Sequence, residues 1–390
     1  MNKIDRFKSV ISSDTGQNNV FLFWKSRIAL YIALKSIGAS EGDEVIVQGY
    51  TCVVVANAIL YCGARPIYVD INHGSYCTDL DLIKSKVTKK TKAIICQNTY
   101  GYSKGIHEIA QFATSKDIVS IEDCAHGYGG ETEGKINGTV CDFGFFSMQW
   151  NKPFSTGLGG ILLVNREKYL SAVSEVYKLC KKPSQAESIQ LLLLLKVRRF
   201  VQKNSSIQNT VRAMYRYLSM CGVVIGSSSP AELNSIDMPQ GYMKTYPSLL
   251  ASEGIKAVAG LPSLITERKI NGARYTKILA SYSKNHIPVN YHADHGFLTY
   301  PLLVTSRADF IEAAKMLNIS LGDWFYSPVH PVTENMDVWG INEDELPNSL
   351  YCCNCVVNLP TSMINPAMVE KLIVDQLDNI KSVDAVSCNA

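Results

Sequence analysis

The first 165 residues alternate between short apolar runs and amphipathic stretches, and this alternation limits the possible folds more than any other feature of the chain. The apolar, strand-like runs cover residues 44–47, 66–70, 92–97, 118–122, 140–148 and 160–164. The helix-like stretches between them cover residues 28–37, 53–61, 80–87 and 106–113. Continuous apolar strands that alternate with helices indicate a mostly parallel sheet covered by helices on both faces. The pattern therefore predicts an α/β fold whose ligands bind beyond the carboxyl ends of the strands.

The rest of the chain predicts a long helical segment followed by a smaller α+β part. Residues 167–235 are expected to be mainly helical, with a loop at 222–230, and a further loop is expected at 239–241. Further helices are expected at residues 249–264, 270–281, 308–317 and 366–383, and further strands at 297–304 and 350–359. A chain of 390 residues is long for one core. We therefore expect a large domain at residues 1–245, which includes the long helical segment, and a small C-terminal domain at residues 246–390.

Charge and hydropathy exclude several classes of protein. The formal net charge of +3 is too small to predict nucleic-acid binding. The chain contains no run of 18 apolar residues, so no membrane-spanning helix is expected. Met1 to Ser12 lack the apolar core of a signal peptide. The apolar run Leu191 to Leu195 is followed by Lys196, Arg198 and Arg199, a pattern that can lie on a membrane surface. We expect it instead to pack on the protein itself or on a partner subunit.

The twelve cysteines are scattered, as reduced thiols of a cytoplasmic protein would be. Cys352, Cys353 and Cys355 form one tight cluster, but no second pair or nearby histidine completes a zinc site. We interpret them as small buried side chains on a strand. His292 and His295 are three residues apart in a polar stretch, and we expect no metal there.

Glu122-Asp123-Cys124-Ala125-His126 follows directly after a predicted strand. A carboxylate at this point can pair with a cationic ring nitrogen, which pyridoxal phosphate (PLP) needs as an electron sink. The alternative is that Asp123 only caps a helix.

Lys152 follows the strand-like run that contains Phe146 and Ser147. A lysine amine becomes a nucleophile when burial or a cationic neighbour lowers its pKa, and the hydroxyl of Ser147 could donate to a phosphate. A lysine in a solvated loop is the alternative. A third site lies at Lys25-Ser26-Arg27, just before a predicted helix, where an anion can bind, although Ser26 could simply be a helix cap. Together these residues make up a phosphate cradle, a ring-nitrogen carboxylate and a lysine for a Schiff base.

With these motifs the chain resembles the DegT family of fold-type-I PLP aminotransferases, known for aminating keto groups of nucleotide-linked sugars. The residues that carry the resemblance are Gly42–Val47, Ala56–Leu60, Gly63–Pro66, Val69–Ile71, Thr91–Ile95, Tyr100-Gly101, Ile121–His126, Phe146-Ser147, Asn151-Lys152 and Thr156–Gly160, with looser matches at Gly254–Leu264 and Asn358–Thr361. The helical segment near 167–235 looks longer than in a typical member.

The resemblance implies a role for each matching residue. Lys152 would bind PLP as a Schiff base, Asp123 would pair with the pyridine nitrogen, and His126 would lie near the ring oxygen. Ser147 would bind the phosphate, as would the backbone and side chains of Ser26 and Arg27. Two residues depart from the family: Ser26-Arg27 replaces the common Gly-Thr, and Cys52 stands where many members carry an aromatic residue that stacks on the ring, a role that Tyr50 could take over.

These roles predict a homodimeric transaminase that moves an amino group from glutamate, through pyridoxamine phosphate, to a keto sugar that is nucleotide-linked and destined for a polysaccharide or glycan. Substrate-binding residues are expected at Tyr100, Lys244, Tyr326 and His330, although packing between domains is the alternative for the group Trp324–Tyr326. A ketose or cyclitol without a nucleotide, or another PLP reaction, remains open as an alternative chemistry. So does a regulatory protein that only keeps the fold. Relatives with histidine in place of the lysine are dehydratases, and Lys152 argues against that branch.

Overall fold

The computed structural model of the protein describes residues 1–102, 104–202, 205–226, 228–362 and 364–383. Its strands, in chain order, are β1 (Val20–Phe23), β2 (Glu44–Gln48), β3 (Thr51–Cys52), β4 (Arg65–Val69), β5 (Thr91–Gln97), β6 (Val119–Asp123), β7 (Glu131–Thr132), β8 (Lys135–Ile136), β9 (Phe143–Ser147), β10 (Gly160–Val164), β11 (Tyr300–Leu303), β12 (Val329–His330) and β13 (Val356–Leu359).

The helices surround these strands. In chain order they are α1 (Lys3–Thr15), α2 (Ser26–Ser36), α3 (Val53–Leu60), α4 (Leu80–Lys86), α5 (Ile106–Ser115), α6 (Leu170–Tyr177), α7 (Gln185–Gln202), α8 (Ser205–Met220), α9 (Pro230–Asn234), α10 (Ala251–Ala259), α11 (Leu261–Ser281), α12 (Arg307–Met316), α13 (Pro347–Cys355) and α14 (Pro366–Asp375).

A seven-stranded sheet in the order β1-β10-β9-β6-β5-β2-β4 forms the centre of the molecule. Strands β4, β2, β5, β6 and β9 run parallel, whereas β10 is antiparallel to both of its neighbours. Alternate residues of β2 point to opposite faces of the sheet, as in any strand. Val45 and Val47 pack in the same core as α2 and α3, and Ile46 packs in the core with α5. The predicted α/β fold with a mostly parallel, helix-covered sheet is confirmed.

The part of the chain after α10 adds a second layer of structure with its own core, whereas α10 packs in the core that contains Phe7 and Leu22. Strands β11 and β13 pair antiparallel, and their side chains form a buried cluster with α11, α12 and α14. Strand β12 leaves this part and pairs parallel with β3, with His330 beside Cys52. This pairing brings the C-terminal part of the chain to the carboxyl edge of the main sheet. The domain boundary near residue 245 stays a prediction.

Several elements differ from the sequence-based expectations. Residues 350–355 were expected to begin a strand but lie in α13, because Pro347 starts a helix and the strand begins only at Val356. The expected helix 249–264 is divided at Gly260, where Pro262 at the start of α11 favours a new helix. The last helix ends at Asp375 rather than at Val383. Helix α1 and strand β1 were not predicted, and residues 203–204 of the expected long helical segment lie outside the described residues.

Within the described residues, no single helix combines the length and apolar content that a membrane span requires. One pair of helical segments, 248–259 and 261–281, meets those limits only when joined across a 47° bend.

Candidate active site

The candidate site lies where β6, β9 and the segment after β2 end at the carboxyl edge of the sheet. Asp123 is the last residue of β6, Ser147 is the last residue of β9, and Lys152 follows five residues later. Cys52, in the two-residue strand β3, lies on the same edge. The parallel topology therefore brings together the side chains that the sequence analysis singled out separately.

Asp123 is a buried carboxylate, with only 4% of its surface exposed. Its Oδ1 accepts a hydrogen bond from the backbone N–H of Ala125 at 2.9 Å. Burial raises its pKa from 3.8 to about 6, against the lowering effects of the Ala125 N–H and the positive charge of Lys152. A carboxylate in this setting gains from a cationic partner, because a positive charge nearby stabilises its ionised form.

Lys152 has a reactive amine. Burial lowers its pKa from 10.5 to about 8, and the positive charge of Arg27 adds to this effect. The negative groups around it, those of Cys52, Asp123 and Asp323, act in the opposite direction. Near pH 8 about half of such a lysine is therefore neutral and nucleophilic.

Trp324 covers the amine of Lys152 from the C-terminal part of the chain. The Lys152 Nζ lies 3.9 Å from the centroid of the Trp324 ring. The same ring stacks on His126, with centroids 4.4 Å apart and planes 23° apart, and lies 6.4 Å from the ring of Phe325. The sequence indicates Trp324 only as a candidate for binding the acceptor, and nothing in the sequence pattern predicted its contact with Lys152.

His126 is held as a neutral ring. Its Nδ1 accepts a hydrogen bond from the backbone N–H of Tyr100 at 3.3 Å. Burial, with the positive charges of Lys152 and His330, holds its pKa well below the ordinary value. Because Nδ1 is an acceptor, the proton of the neutral ring is on Nε2, which can donate to a ligand.

The predicted anion cradle is formed by β9, β10 and the first turn of α2. Ser147 pairs in register with Gly160 of β10. A Cβ at position 160 would lie 2.5 Å from the Cα of Ser26, so only glycine allows the strand to approach the start of α2 this closely. The hydroxyl of Ser147 therefore lies near the N-terminal end of a helix, where free N–H groups and the helix dipole attract anions.

Arg27 points toward α9. Its guanidinium forms a buried ion pair with Glu232, and Nη1 also lies 3.4 Å from the Ser228 hydroxyl. Glu232 is fully buried and accepts a further hydrogen bond from Tyr242 at 2.5 Å. The charge of Arg27 still reaches Lys152 and Cys52, and its role as a phosphate ligand stays a prediction.

Glu232 itself was not found from the sequence. The spacing of Ser229 and Glu232 is typical of a helix start, and the Ser229 N–H does donate to Glu232 Oε2 at 3.0 Å. That signal predicts a helix cap but not a carboxylate buried between cations.

Three of the four expected substrate residues lie at this site. The Nδ1 of His330 accepts a hydrogen bond from the Tyr326 N–H at 3.2 Å, and burial lowers the pKa of His330 to about 4. The hydroxyl of Tyr100 donates to the carbonyl of Trp324 at 2.9 Å. Tyr326 carries the guanidinium of Arg307 on its ring, 4.2 Å from the centroid.

Lys244 lies elsewhere, whereas Tyr50 lies beside Tyr100. The ammonium of Lys244 pairs with Glu187 at 2.5 Å and lies 5.1 Å from the Trp24 ring centroid, so this chain does not bring it to Lys152. Tyr50 is fully buried, and its hydroxyl is bonded to that of Tyr100 at 2.6 Å. Among the described residues, no group of three or more histidine, cysteine or acidic side chains is arranged to hold a metal ion.

A sequence model of the DegT/DnrJ/EryC1/StrS aminotransferase family matches residues 2–191 and 200–375 of the chain. The chain is 37% identical over 164 residues to a GDP-perosamine synthase from Escherichia coli O157:H7, which covers 42% of this chain and 45% of that protein. It is 35% identical over 156 residues to an L-glutamine:2-deoxy-scyllo-inosose aminotransferase from Streptomyces kanamyceticus, which covers 38% of this chain and 36% of that protein. Both alignments span less than half of the relative's length.

The fold is similar to that of a solved structure, NtdA from Bacillus subtilis with its bound cofactor PMP. The TM-score is 0.71 at 20% sequence identity, and the superposition covers 97% of this chain and 78% of that one. At this level of identity the likeness establishes the fold.

Proposed function

The chain belongs to the DegT/DnrJ/EryC1/StrS aminotransferase family, and we propose that it is a PLP-dependent transaminase that moves an amino group from an amino acid to a keto sugar. The observation that carries the proposal is the convergence, at one edge of the sheet, of a low-pKa lysine, a buried carboxylate and a helix N-terminus.

The donor groups of the site fit PLP. Lys152 supplies an amine for the aldehyde, and Asp123 supplies a carboxylate for the pyridine nitrogen. Gly160, Ser147 and the first turn of α2 form a cradle for the phosphate, which a Cβ at position 160 would close. His126 offers an Nε2–H donor to the ring oxygen.

When bound, PLP carries the amino group between donor and acceptor and withdraws electrons from the reacting carbon. Lys152 anchors the cofactor and acts as the base and acid that moves the proton at that carbon, which a lysine with a pKa near 8 can do in both directions. Asp123 keeps the pyridine nitrogen protonated. Trp324 and the buried ring of His126 exclude water from one side of the Lys152 amine.

We further propose that the acceptor is a nucleotide-linked keto sugar for a polysaccharide or glycan, with glutamate as the donor, in a cytoplasmic homodimer. The similarity to a GDP-perosamine synthase supports a nucleotide sugar. The stacked pair of Arg307 and Tyr326 supplies a cationic and an aromatic group near His330. The second relative supports the alternative acceptor, a cyclitol without a nucleotide.

The cofactor assignment is tested by trapping. Purified protein should be yellow, and borohydride reduction followed by peptide mapping should locate the pyridoxyl group on Lys152. Lys152→Ala should lose turnover, because it removes both the anchor and the base. A pyridoxyl group on another lysine would overturn the assignment.

The acceptor is tested in a half-reaction. The enzyme is first converted with glutamate to its pyridoxamine form and then mixed with candidate keto compounds. Rapid return of the yellow colour with a nucleotide-linked keto sugar, but not with the free sugar, would support the proposal. An equal response to the free sugar, or a response to a keto cyclitol alone, would favour the alternative.

A further inference from the structure

Trp324 is held rigidly over the candidate site by contacts on both its backbone and its ring. Its carbonyl accepts hydrogen bonds from the Tyr100 hydroxyl at 2.9 Å and from the Asn358 side-chain amide. Its ring stacks on His126, which is itself buried and tied to the backbone of Tyr100. These contacts fix the orientation of the indole, and the Lys152 Nζ lies 3.9 Å from the centroid of its ring.

An ammonium group at this distance from an indole face is attracted by the negative charge of the ring face. Tryptophan binds a cation in this way more strongly than tyrosine or phenylalanine does. The attraction applies only to the protonated form of the lysine, since a neutral amine carries no charge. The contact therefore favours one of the two states between which a catalytic lysine alternates.

Lys152 must be protonated during part of the proposed reaction. After it is displaced from the cofactor, its neutral amine accepts the proton from the α-carbon of the amino donor and becomes an ammonium. It then returns that proton to the adjacent cofactor carbon and is neutral again, so no proton is gained or lost. Burial opposes the ammonium form in this step.

We propose that Trp324 is a positioning residue whose ring holds the ammonium form of Lys152 at the reacting carbon whenever the lysine is not bound to the cofactor. This inference rests on the proposed function. It assigns to Trp324 a stabilisation of the ammonium that adds to that of the carboxylates around the lysine, and an indole ring cannot itself accept the proton.

Several charged or titratable groups also face Lys152 and must be kept constant in a test. They are Arg27 on α2, Cys52 on β3, Asp123 on β6, His126 after β6, Asp323 next to Trp324, and His330 on β12. Substitutions of Trp324 by other apolar residues alter none of these groups chemically, although they remove the stacking of the indole on His126.

The first experiment measures how fast the cofactor-free protein captures PLP as a function of pH, by the absorbance of the bound cofactor. Capture requires the neutral amine, so the profile follows the pKa of Lys152. Loss of the ring should lower the midpoint by about one pH unit in Trp324→Leu and by less in Trp324→Phe. Trp150→Phe is the matched control, because Trp150 is two residues from Lys152 but its ring faces Arg198.

The second experiment follows one turnover with glutamate that carries deuterium on the α-carbon. The rate of proton transfer should fall up to about tenfold from tryptophan to phenylalanine to leucine, with an increasing isotope effect and little change in glutamate affinity. A merely structural role would instead change affinity and protein stability together.

The outcomes separate this inference from the proposed function. If the wild-type protein captures no PLP on Lys152, the proposed function fails. If it does, but Trp324→Leu has the wild-type midpoint or a higher one, or Trp150→Phe shifts it equally, only the role of Trp324 is overturned. Absence of any rate order among the three side chains would overturn it as well.

Discussion

At the scale of single residues, the chemistry depends on the buried carboxylate of Asp123 and the partly buried amine of Lys152, whose pKa values are shifted toward each other. Burial raises the pKa of Asp123 to about 6 and lowers that of Lys152 to about 8. Each charge partly stabilises the other. A bound pyridinium ring would give Asp123 a closer cationic partner and would leave the lysine amine free to react.

Asp123→Asn tests whether the carboxylate is needed for its charge. The substitution keeps the shape of the side chain, but it removes the negative charge that would keep the pyridine nitrogen protonated. We expect turnover to fall by two orders of magnitude or more, roughly the contribution of a well-placed acid or base. PLP affinity should fall much less, and absorbance titration measures it separately.

The matching control is Asp142→Asn. Asp142 is also a buried carboxylate, but it accepts hydrogen bonds from Ser120 and lies in no contact with Lys152. It should lose stability without the selective loss of turnover. Near-normal turnover in Asp123→Asn would mean that Asp123 only caps the turn through the Ala125 N–H.

The depressed pKa of Lys152 also predicts how stability depends on pH. The unfolded lysine has a pKa near 10.5 and the folded one a pKa of about 8, so between these values the unfolded state binds more protons. The stability cost of Lys152 in the cofactor-free protein is therefore fully present below pH 8 and disappears as the pH rises toward 10.5.

Lys152→Met should accordingly stabilise the cofactor-free protein at pH 7 and have much less effect near pH 10. Urea unfolding at the two pH values measures the difference. Lys182, an exposed lysine, gives the control substitution Lys182→Met, which should show no such change with pH. An equal effect of Lys152→Met at both pH values would contradict the shift.

At the scale of elements, the carboxylate of Glu232 connects the segment between β10 and α10 to the start of α2, beside the proposed phosphate site. Glu232 of α9 lies between Arg27 and Lys25 at the start of α2, with Lys25 Nζ at 3.9 Å, and α9 also accepts a hydrogen bond from Asn57 through the Glu232 carbonyl. Burial and the positive charge of Arg27 lower the pKa of Lys25 to about 7, although the negative charge of Glu232 acts in the opposite direction. The carboxylate thus compensates the cations beneath the proposed phosphate site.

Glu232→Gln should destabilise the protein strongly. It leaves buried cations without their counter-charge, and removal of one partner of a buried ion pair costs about 3–5 kcal/mol. Denaturant unfolding measures this loss. The double variant Arg27→Met with Glu232→Leu should recover much of it, because it removes both charges and fills the space with apolar atoms.

The exposed pair of Lys371 and Asp375 on α14 provides the comparison. Asp375→Asn should change the free energy of unfolding by less than about 1 kcal/mol. If Glu232→Gln behaved in the same way, Glu232 would not be the anchor of α9.

The sequence predicts those elements in which buried apolar residues recur in a simple pattern along the chain. Strands β2, β5 and β6 contain buried apolar residues on both faces because both faces of the sheet are covered, and their bounds were predicted within about one residue. Helix α1 was missed because its buried face is narrow, with Phe7 and Ile11 as its large buried side chains. Cys352 and Cys353 are apolar, as residues of a buried strand would be, yet they are helical. Pro347 starts the helix, and packing in the folded protein, rather than local sequence preference, extends it to these residues.

The same division applies to the site. Asp123, Ser147 and Lys152 were predicted because each follows a strand, and parallel strands end at one edge. The contact of Trp324 with Lys152 and the ion pair of Glu232 with Arg27 could not be predicted. The partners are 172 and 205 residues apart, and loop and helix packing leaves no period in the sequence.

At the scale of the whole molecule, α7 presents an apolar face that the described part of this chain leaves uncovered. Ile189, Leu193 and Val197 recur at helical spacing and are 50%, 56% and 49% exposed. The opposite side of the helix is buried through Leu191 and Leu195. The family match skips residues 192–199, so the middle of this face belongs to a stretch that the family model does not describe. Exposed apolar faces of this kind are typical of contacts between subunits.

We therefore predict that the protein is a homodimer and that α7 contributes to its interface. Leu193→Glu together with Val197→Glu should place charges in that contact and shift the protein toward monomers, because charges buried in an apolar interface without partners are costly. Sedimentation velocity measures the ratio of dimer to monomer over a range of concentrations. Lys196→Glu, an exposed change on the same helix, is the control for added negative charge and should leave the dimer intact.

A wild-type protein that is active as a monomer would contradict the prediction of a dimer. A dimer unaffected by the double variant would instead remove α7 from the interface. In that case, the other interpretation of this basic, apolar helix is contact with a membrane surface. Flotation with anionic vesicles would test it, and the same double variant should then abolish vesicle binding.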